Sequence, residues 1–103
     1  MEYRSIYITA KDEPEARRLA KTLVWEKLAA CANYFPVKSV YWWEGQVQEA
    51  GEIAIIAKTR ADLVDRVIQR VRELHSYQVP CIESWIIEKA NKSCLDWIDQ
   101  SVE

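Results

Sequence analysis

The sequence predicts an α+β fold in which two helices cover one side of a four-stranded antiparallel sheet. The first observation is the order of the patterns along the chain, which is strand, helix, strand, strand, helix, strand and one extra helix. That order is typical of the split βαβ, or ferredoxin-like, arrangement with a C-terminal helix added. The second is that two glycines and three prolines among 103 residues leave no linker. We therefore expect residues 1–103 to form a single domain.

The first strand and the first helix are both marked by their periodicity. Residues 4–10 alternate isoleucine with polar or aromatic side chains, which is the period of a strand. Asp12, followed by Pro14 and Glu15, is a typical helix start. Apolar residues then recur every three or four positions, which predicts helix 1 over residues 13–29.

Two long strands joined by a tight turn are expected in the middle of the chain. Residues 30–43 form one extended segment that Pro36 interrupts, which predicts a bulge or a sheet edge there. Glu44 and Gly45 have extended sequence on both sides and favour a hairpin turn that uses the positive φ of glycine. The returning strand covers residues 46–60.

The second half of the chain repeats the alternation of helix and strand. Residues 61–74 carry an apolar face with charges opposite it, which predicts helix 2. A fourth strand is expected over residues 79–87, and a short third helix from Asn91.

The apolar content of the strands indicates that the second face of the sheet is covered as well. Residues 53–57 are apolar without alternation, so both sides of that strand should be buried. In the adjacent strand, Tyr41 and Trp43 point to one face and Trp42 to the other. Because two helices cover only one face, we expect another chain to cover the second.

Composition excludes several classes of partner. The net charge is -2 and no stripe of Lys and Arg is present, so we expect no nucleic-acid binding. No segment approaches about 18 consecutive apolar residues, and residues 1–13 lack the pattern of a signal peptide. We therefore expect no membrane contact and a cytoplasmic location. Three cysteines without a paired spacing are interpreted as reduced, buried thiols.

Other functions of this fold lack their motifs here. An RNA-recognition domain needs stacking aromatics on the third strand, where residues 51–59 read GEIAIIAKT. An acylphosphatase-like enzyme needs a phosphate cradle after the first strand, whereas residues 10–16 are acidic and lack glycine. An enzyme that uses His75, Glu44 and Lys58 is left open as an alternative. Lys58 interrupts an apolar strand, so its ammonium group needs a partner.

Four blocks, in this order and with these gaps, resemble the CutA divalent-cation-tolerance proteins. The blocks are KLAACANYFP, SVYWWEG, EIAIIAKTR and LHSYQVPCI, and the match covers nearly the whole chain. The family pattern is met by Leu28 to Asn33, Tyr41 to Gly45, Lys58, Thr59, His75, Tyr77 and Pro80.

The resemblance implies a ferredoxin-like protomer in a homotrimer related to the PII signal proteins, with hairpins that reach neighbouring subunits. It also implies a ligand cleft between subunits for a small molecule or a metal ion. The lining expected from the resemblance is Asn33, Tyr41, Trp43, Glu44, Lys58 and Tyr77, with Lys58 and Glu44 as charged partners and His75 as a hydrogen-bond donor or weak metal ligand.

The function implied by the resemblance is non-enzymatic and linked to copper and other divalent cations. Some relatives are described with a copper site made of a cysteine in the first strand and two adjacent histidines after helix 2. Here Ile8 and Leu74 replace two of those ligands, and His75 alone is kept. The alternatives are a PII-like protein that signals through a small molecule and a structural trimer that anchors partner proteins.

Overall fold

The computed structural model describes residues 1–103 and confirms the predicted fold class. The four strands form one antiparallel sheet in the order β2-β3-β1-β4. The elements are β1 (Tyr3–Ala10), α1 (Glu13–Trp25), β2 (Cys31–Trp43), β3 (Gln46–Arg60), α2 (Val64–Leu74), β4 (Ile82–Ile86) and α3 (Lys92–Ser101), with a 3₁₀ turn at Ala61–Leu63 before α2. None of the helices combines the length and apolarity that crossing a bilayer requires.

The hydrophobic core lies between the sheet and the helices α1 and α2. Ile6, Ile8 and Ile55 supply the strand side of this core, and Leu23 and Val67 supply the helix side. All five side chains are fully buried. Residues that alternate with these strand positions point away from α1 and α2, and the surface they form is called the far face.

Helix α1 is shorter than the predicted span of 13–29, because the chain reverses at Lys27. Lys27 has a φ of 61°, in the left-handed region. Its N–H donates to Val24 O, and the N–H of Leu28 donates to Leu23 O at 2.9 Å, which is the Schellman pattern that ends a helix. The reversal folds Leu28 back into the core, so the apolar periodicity continues after the helix has ended.

The β2–β3 hairpin has the predicted strands, and its pairing is more regular than predicted. Its pairing runs in unbroken register from Cys31–Lys58 to Trp43–Gln46, so the bulge at Pro36 is wrong, while β2 is indeed an edge strand. The turn occurs at Glu44 and Gly45, whose φ values of 51° and 77° are typical of a two-residue hairpin loop. Residues 37–52 pair only with each other and are called the ribbon.

Strand β4 begins three residues later than the predicted span of 79–87. The preceding loop is held by hydrogen bonds that compete with strand pairing: the N–H of Tyr77 donates to the His75 ring, and the N–H of Ser76 donates to Glu15. Pro80 has no N–H to contribute to a ladder. The loop at residues 75–81 therefore packs against α1 rather than extending the sheet.

Candidate functional site

Several of the predicted cleft residues lie on the far face. The register places Lys58 opposite both Ser5 and Cys31, with Asn33 two residues further along β2, opposite Ile56. Tyr41 and Trp43 continue the same face along the ribbon, as their spacing from Asn33 requires.

Lys58 is the most unusual charged residue on this face. The other six lysines are exposed, whereas Lys58 is partly buried. Its ammonium group makes no hydrogen bond or ion pair with any residue of the chain. The partner that the sequence demands for Lys58 is therefore not supplied by its own subunit.

A second group forms where the 75–81 loop meets the start of the ribbon. The hydroxyl of Tyr77 donates to Glu52 Oε2 at 2.5 Å, across 25 residues of sequence. The rings of Tyr77 and His75 lie 4.7 Å apart at an angle of 48°. Burial, the hydrogen bond to Glu52 and the negative charges of Glu52 and Glu15 raise the pKa of Tyr77 well above its usual value.

His75 supports this loop through its ring nitrogens. Its side chain is 0% exposed. Nε2 lies 2.7 Å from Thr9 O and therefore carries the proton, while Nδ1 accepts the N–H of Tyr77 at 3.0 Å. Both nitrogens of the neutral ring are thus bonded to backbone groups.

Glu15 connects the same loop to the start of α1. Its buried carboxylate accepts the N–H of Lys11 at 3.0 Å and the N–H of Ser76 at 2.8 Å. His75 Nδ1 lies 3.9 Å from the second oxygen. Burial raises the pKa of Glu15, but the hydrogen bonds from Ser76 and Lys11 lower it by more, so the pKa lies below its ordinary value. Glu15, Glu52, His75 and Tyr77 are called the Tyr77 cluster.

The geometry within one chain does not fit His75 as a metal ligand. To coordinate an ion, the ring would have to give up one of its two backbone hydrogen bonds and its burial. Ile8 lies fully buried in the core, and no group of three or more His, Cys, Asp or Glu side chains is arranged to hold a metal ion. The copper site implied by the resemblance therefore has no counterpart in the single subunit.

The hairpin turn lies far from both groups. Glu44 and Trp43 are at the tip of the ribbon, and the strand from Gln46 to Lys58 spans roughly 40 Å. One chain thus brings His75 and Tyr77 together and places Asn33 beside Lys58, but it does not bring Glu44 or Trp43 to either group, and Tyr41 lies on the ribbon opposite Gln48. A cleft that includes all seven residues requires a neighbouring chain.

Sequence reasoning misses two members of the Tyr77 cluster, Glu15 and Glu52, as site residues. The sequence pattern marks Glu15 only as part of the helix start, where its N–H does donate to Asp12 at 3.0 Å. Its carboxylate, however, contacts a loop 61 residues away. Glu52 directly precedes the apolar residues 53–57 of β3. A carboxylate at the start of an apolar run is the local feature of the sequence that could have marked Glu52 as a site residue.

Comparison with known proteins identifies the family. Residues 4–101 match the family model described as "CutA1 divalent ion tolerance protein". The chain is 51% identical over 98 residues to "Divalent-cation tolerance protein CutA" of Archaeoglobus fulgidus, with 95% of this chain and 96% of that protein covered. It is 40% identical to the Pyrococcus horikoshii protein of the same name, with 90% and 91% covered.

Solved structures agree with this match. A structure described as the periplasmic divalent cation tolerance protein CutA from Archaeoglobus fulgidus superposes with a TM-score of 0.96 at 50% identity, covering 98% of this chain and 99% of that one. CutA1 from Oryza sativa superposes with a TM-score of 0.97 at 38% identity, covering 100% and 95%. The chain therefore belongs to the CutA1 divalent ion tolerance family.

Proposed function

We propose that the protein is a non-enzymatic homotrimer whose subunits enclose ligand clefts and which contributes to tolerance of divalent cations. The observation that supports the trimer most strongly is the ribbon, a two-stranded extension that exposes several large apolar side chains. Trp42 is 75% exposed, and Val40 and Val47 on the same side are exposed too. An isolated two-stranded hairpin is marginally stable in water, so the ribbon needs a further surface to pack against.

The far face supports the same proposal. Phe35, Tyr41, Trp43 and Trp85 are exposed large side chains that project from it. Trp85 stacks on Tyr7 with ring centroids 5.1 Å apart, which extends the apolar area to β4. Closed rotational symmetry covers such a face on every subunit and leaves no apolar surface for further growth.

The assembly is tested by comparing two tryptophan variants. Trp42→Ala should weaken the trimer, so that it dissociates on dilution at a concentration where the wild type stays intact. Trp25→Ala is the control, because Trp25 is 89% exposed at the end of α1 and lies outside both the ribbon and the far face. Sedimentation velocity over a dilution series measures both. A Trp42→Ala variant that dissociates no more readily than Trp25→Ala would contradict the proposal.

For divalent cations, we propose weak binding of copper at positions shared between subunits. Family membership supports the link to divalent ions, and the burial of His75 argues against a site within one chain. Calorimetric titration of Cu²⁺ into the trimer should give heats that persist in His75→Asn, which keeps a polar side chain. Heats that vanish in His75→Asn while the trimer stays intact would instead assign the copper to His75. The absence of any heat would refute copper binding.

The hydrogen bonding of His75 supports a non-enzymatic role. Both ring nitrogens of His75 bind backbone groups, so no serine or cysteine is hydrogen-bonded to this base. A PII-like role in small-molecule signalling is the second candidate, and the unpartnered ammonium of Lys58 favours it over a purely structural trimer that anchors partner proteins. A ligand that raises the melting temperature strongly would support signalling.

We also propose a cytoplasmic location, supported by the three free cysteines. Cys31 and Cys94 are partly buried, whereas Cys81 is exposed, so the expectation of a buried thiol is wrong for Cys81. Unpaired thiols are typical of a reducing compartment. Cell fractionation tests the location. Recovery of the protein in the periplasm, the compartment named for the Archaeoglobus fulgidus protein, would contradict the proposal.

A further inference from the structure

We propose that Lys58, Ser5 and Asn33 form an anion-binding subsite on the far face, whose ligand carries a carboxylate or phosphate group. The inference rests on the proposed function in one respect: the far face is enclosed when subunits assemble. It goes further by naming the chemistry of the ligand as anionic, rather than as a free divalent cation.

The first step is the isolation of the Lys58 charge. Lys58 is the one lysine of seven that is not exposed, and it has no partner in its own chain. The Nζ atom keeps contact with solvent in the single subunit, but another subunit that covers the far face would desolvate it, and a desolvated ammonium group without a counter-charge is unfavourable. A bound anion would remove this penalty.

The second step is the absence of a free carboxylate on the same surface. Glu52 on β3 accepts a hydrogen bond from the Tyr77 hydroxyl, and Glu83 on β4 accepts one from Trp85 Nε1 at 3.2 Å. Beyond the end of β3, Asp62 and Asp99 both pair with Arg60. Each nearby carboxylate of the chain is thus already bound to another group.

The third step is the set of donors around Lys58. Ser5 lies directly opposite on β1, where cross-strand side chains are about 5 Å apart, and Asn33 occupies the diagonal position on β2. Neither side chain makes a hydrogen bond within the chain. An ammonium, a hydroxyl and an amide N–H are donors that suit an oxyanion, whereas Lys58 repels a metal cation.

The experiment measures anion binding by calorimetry at constant ionic strength. Sodium phosphate and sodium citrate are titrated separately into the intact protein, with sodium chloride as the reference, so the two arms distinguish a phosphate from a carboxylate ligand. Lys58→Met, which keeps the aliphatic stem, should bind about tenfold more weakly or not at all. Lys58→Arg keeps the charge and should stay within about threefold of the wild type.

Lys38→Met is the matched control. Lys38 lies on the neighbouring strand opposite Gly51, is exposed, and points to the other side of the sheet. It should bind the anions as the wild type does. Ser5→Ala should weaken binding about threefold, which gives a second measurement if Lys58→Met fails to fold.

Two results would overturn the inference. One is a wild type that binds neither anion above the chloride reference, and the other is Lys58→Met binding as tightly as the wild type. Sedimentation of the same samples separates these results from a failure of the proposed function. A wild type that is trimeric but indifferent to anions refutes the subsite alone, whereas a monomeric wild type refutes the assembly.

Discussion

Replacing Glu15 with glutamine should destabilise the protein out of proportion to so small a chemical change. The carboxylate is buried and accepts two backbone N–H groups, from Lys11 at 3.0 Å and Ser76 at 2.8 Å. Glutamine retains one acceptor oxygen but places an NH₂ donor against the second N–H. The loss of one hydrogen bond to a charged group, with a buried donor left unsatisfied, should cost about 1.5 to 3 kcal/mol in unfolding free energy.

The assay is urea denaturation followed by tryptophan fluorescence at a fixed protein concentration, since assembly changes apparent stability. Glu13→Gln is the control, because Glu13 lies in the same first turn of α1 but is exposed. Its loss removes only a favourable interaction with the helix dipole, less than about 1 kcal/mol. A Glu15→Gln variant no less stable than Glu13→Gln would refute the role assigned to the Glu15 carboxylate.

The Glu15→Gln variant also tests how the unfolding free energy depends on pH. The pKa of Glu15 in the folded protein lies below its ordinary value of 4.5, so the unfolded chain takes up a proton first as the pH falls. The stability that this carboxylate contributes is therefore complete above that value and is lost as the pH falls through the folded pKa. The difference in unfolding free energy between wild type and Glu15→Gln should be constant near neutral pH and should narrow in acid. A difference that widens in acid would contradict the assigned pKa direction.

Four further substitutions test other parts of the structure. Gly45→Ala should lower the unfolding free energy by about 1 to 2 kcal/mol, because a φ of 77° is strained for a residue with a Cβ atom. Glu44→Asn should not destabilise the turn, because asparagine tolerates the φ of 51° at this position. Thr59→Val should cost about 1 to 3 kcal/mol in urea denaturation, because the buried hydroxyl that donates to Leu28 O at 2.7 Å is removed. Tyr77→Phe should remove from the ultraviolet pH titration one phenol that ionises at unusually high pH. Because the pKa of Tyr77 is raised in the folded protein, the stability that its hydroxyl contributes is present below the ordinary pKa of 10.0 and is lost as the pH rises through the folded pKa. Unchanged stability in Gly45→Ala or Thr59→Val, or an unchanged titration in Tyr77→Phe, would count against the corresponding contact.

The fold could be predicted from the sequence because each element carries a local periodic signal. The alternation in residues 4–10 and the helical spacing after Asp12 depend only on neighbours along the chain. The errors arise where a boundary depends on tertiary contacts. Leu28 keeps the helical rhythm although the chain has already reversed at Lys27, and β4 begins late because the loop before it is bonded to Glu15.

The candidate site was less predictable, because its contacts join residues far apart in sequence. The register of the β2–β3 hairpin places Lys58 beside Asn33, so a correct prediction of the hairpin also predicts that these two residues are neighbours. No local pattern pairs Tyr77 with Glu52 or indicates that His75 is buried with both nitrogens occupied. The sequence predicts a histidine near a helix end. Whether its ring is available to a metal ion depends on tertiary contacts, which the sequence pattern does not show.

The mass of the assembled protein tests the central claim most directly. Sedimentation equilibrium of the wild type at micromolar concentration should give a single species of about 36 kDa, three times the chain mass of 12.1 kDa, because the ribbon and the far face need neighbouring copies to cover them. A stable species of 12.1 kDa would contradict the account, since the exposed Trp42 and the unpartnered Lys58 would then face water in the native state.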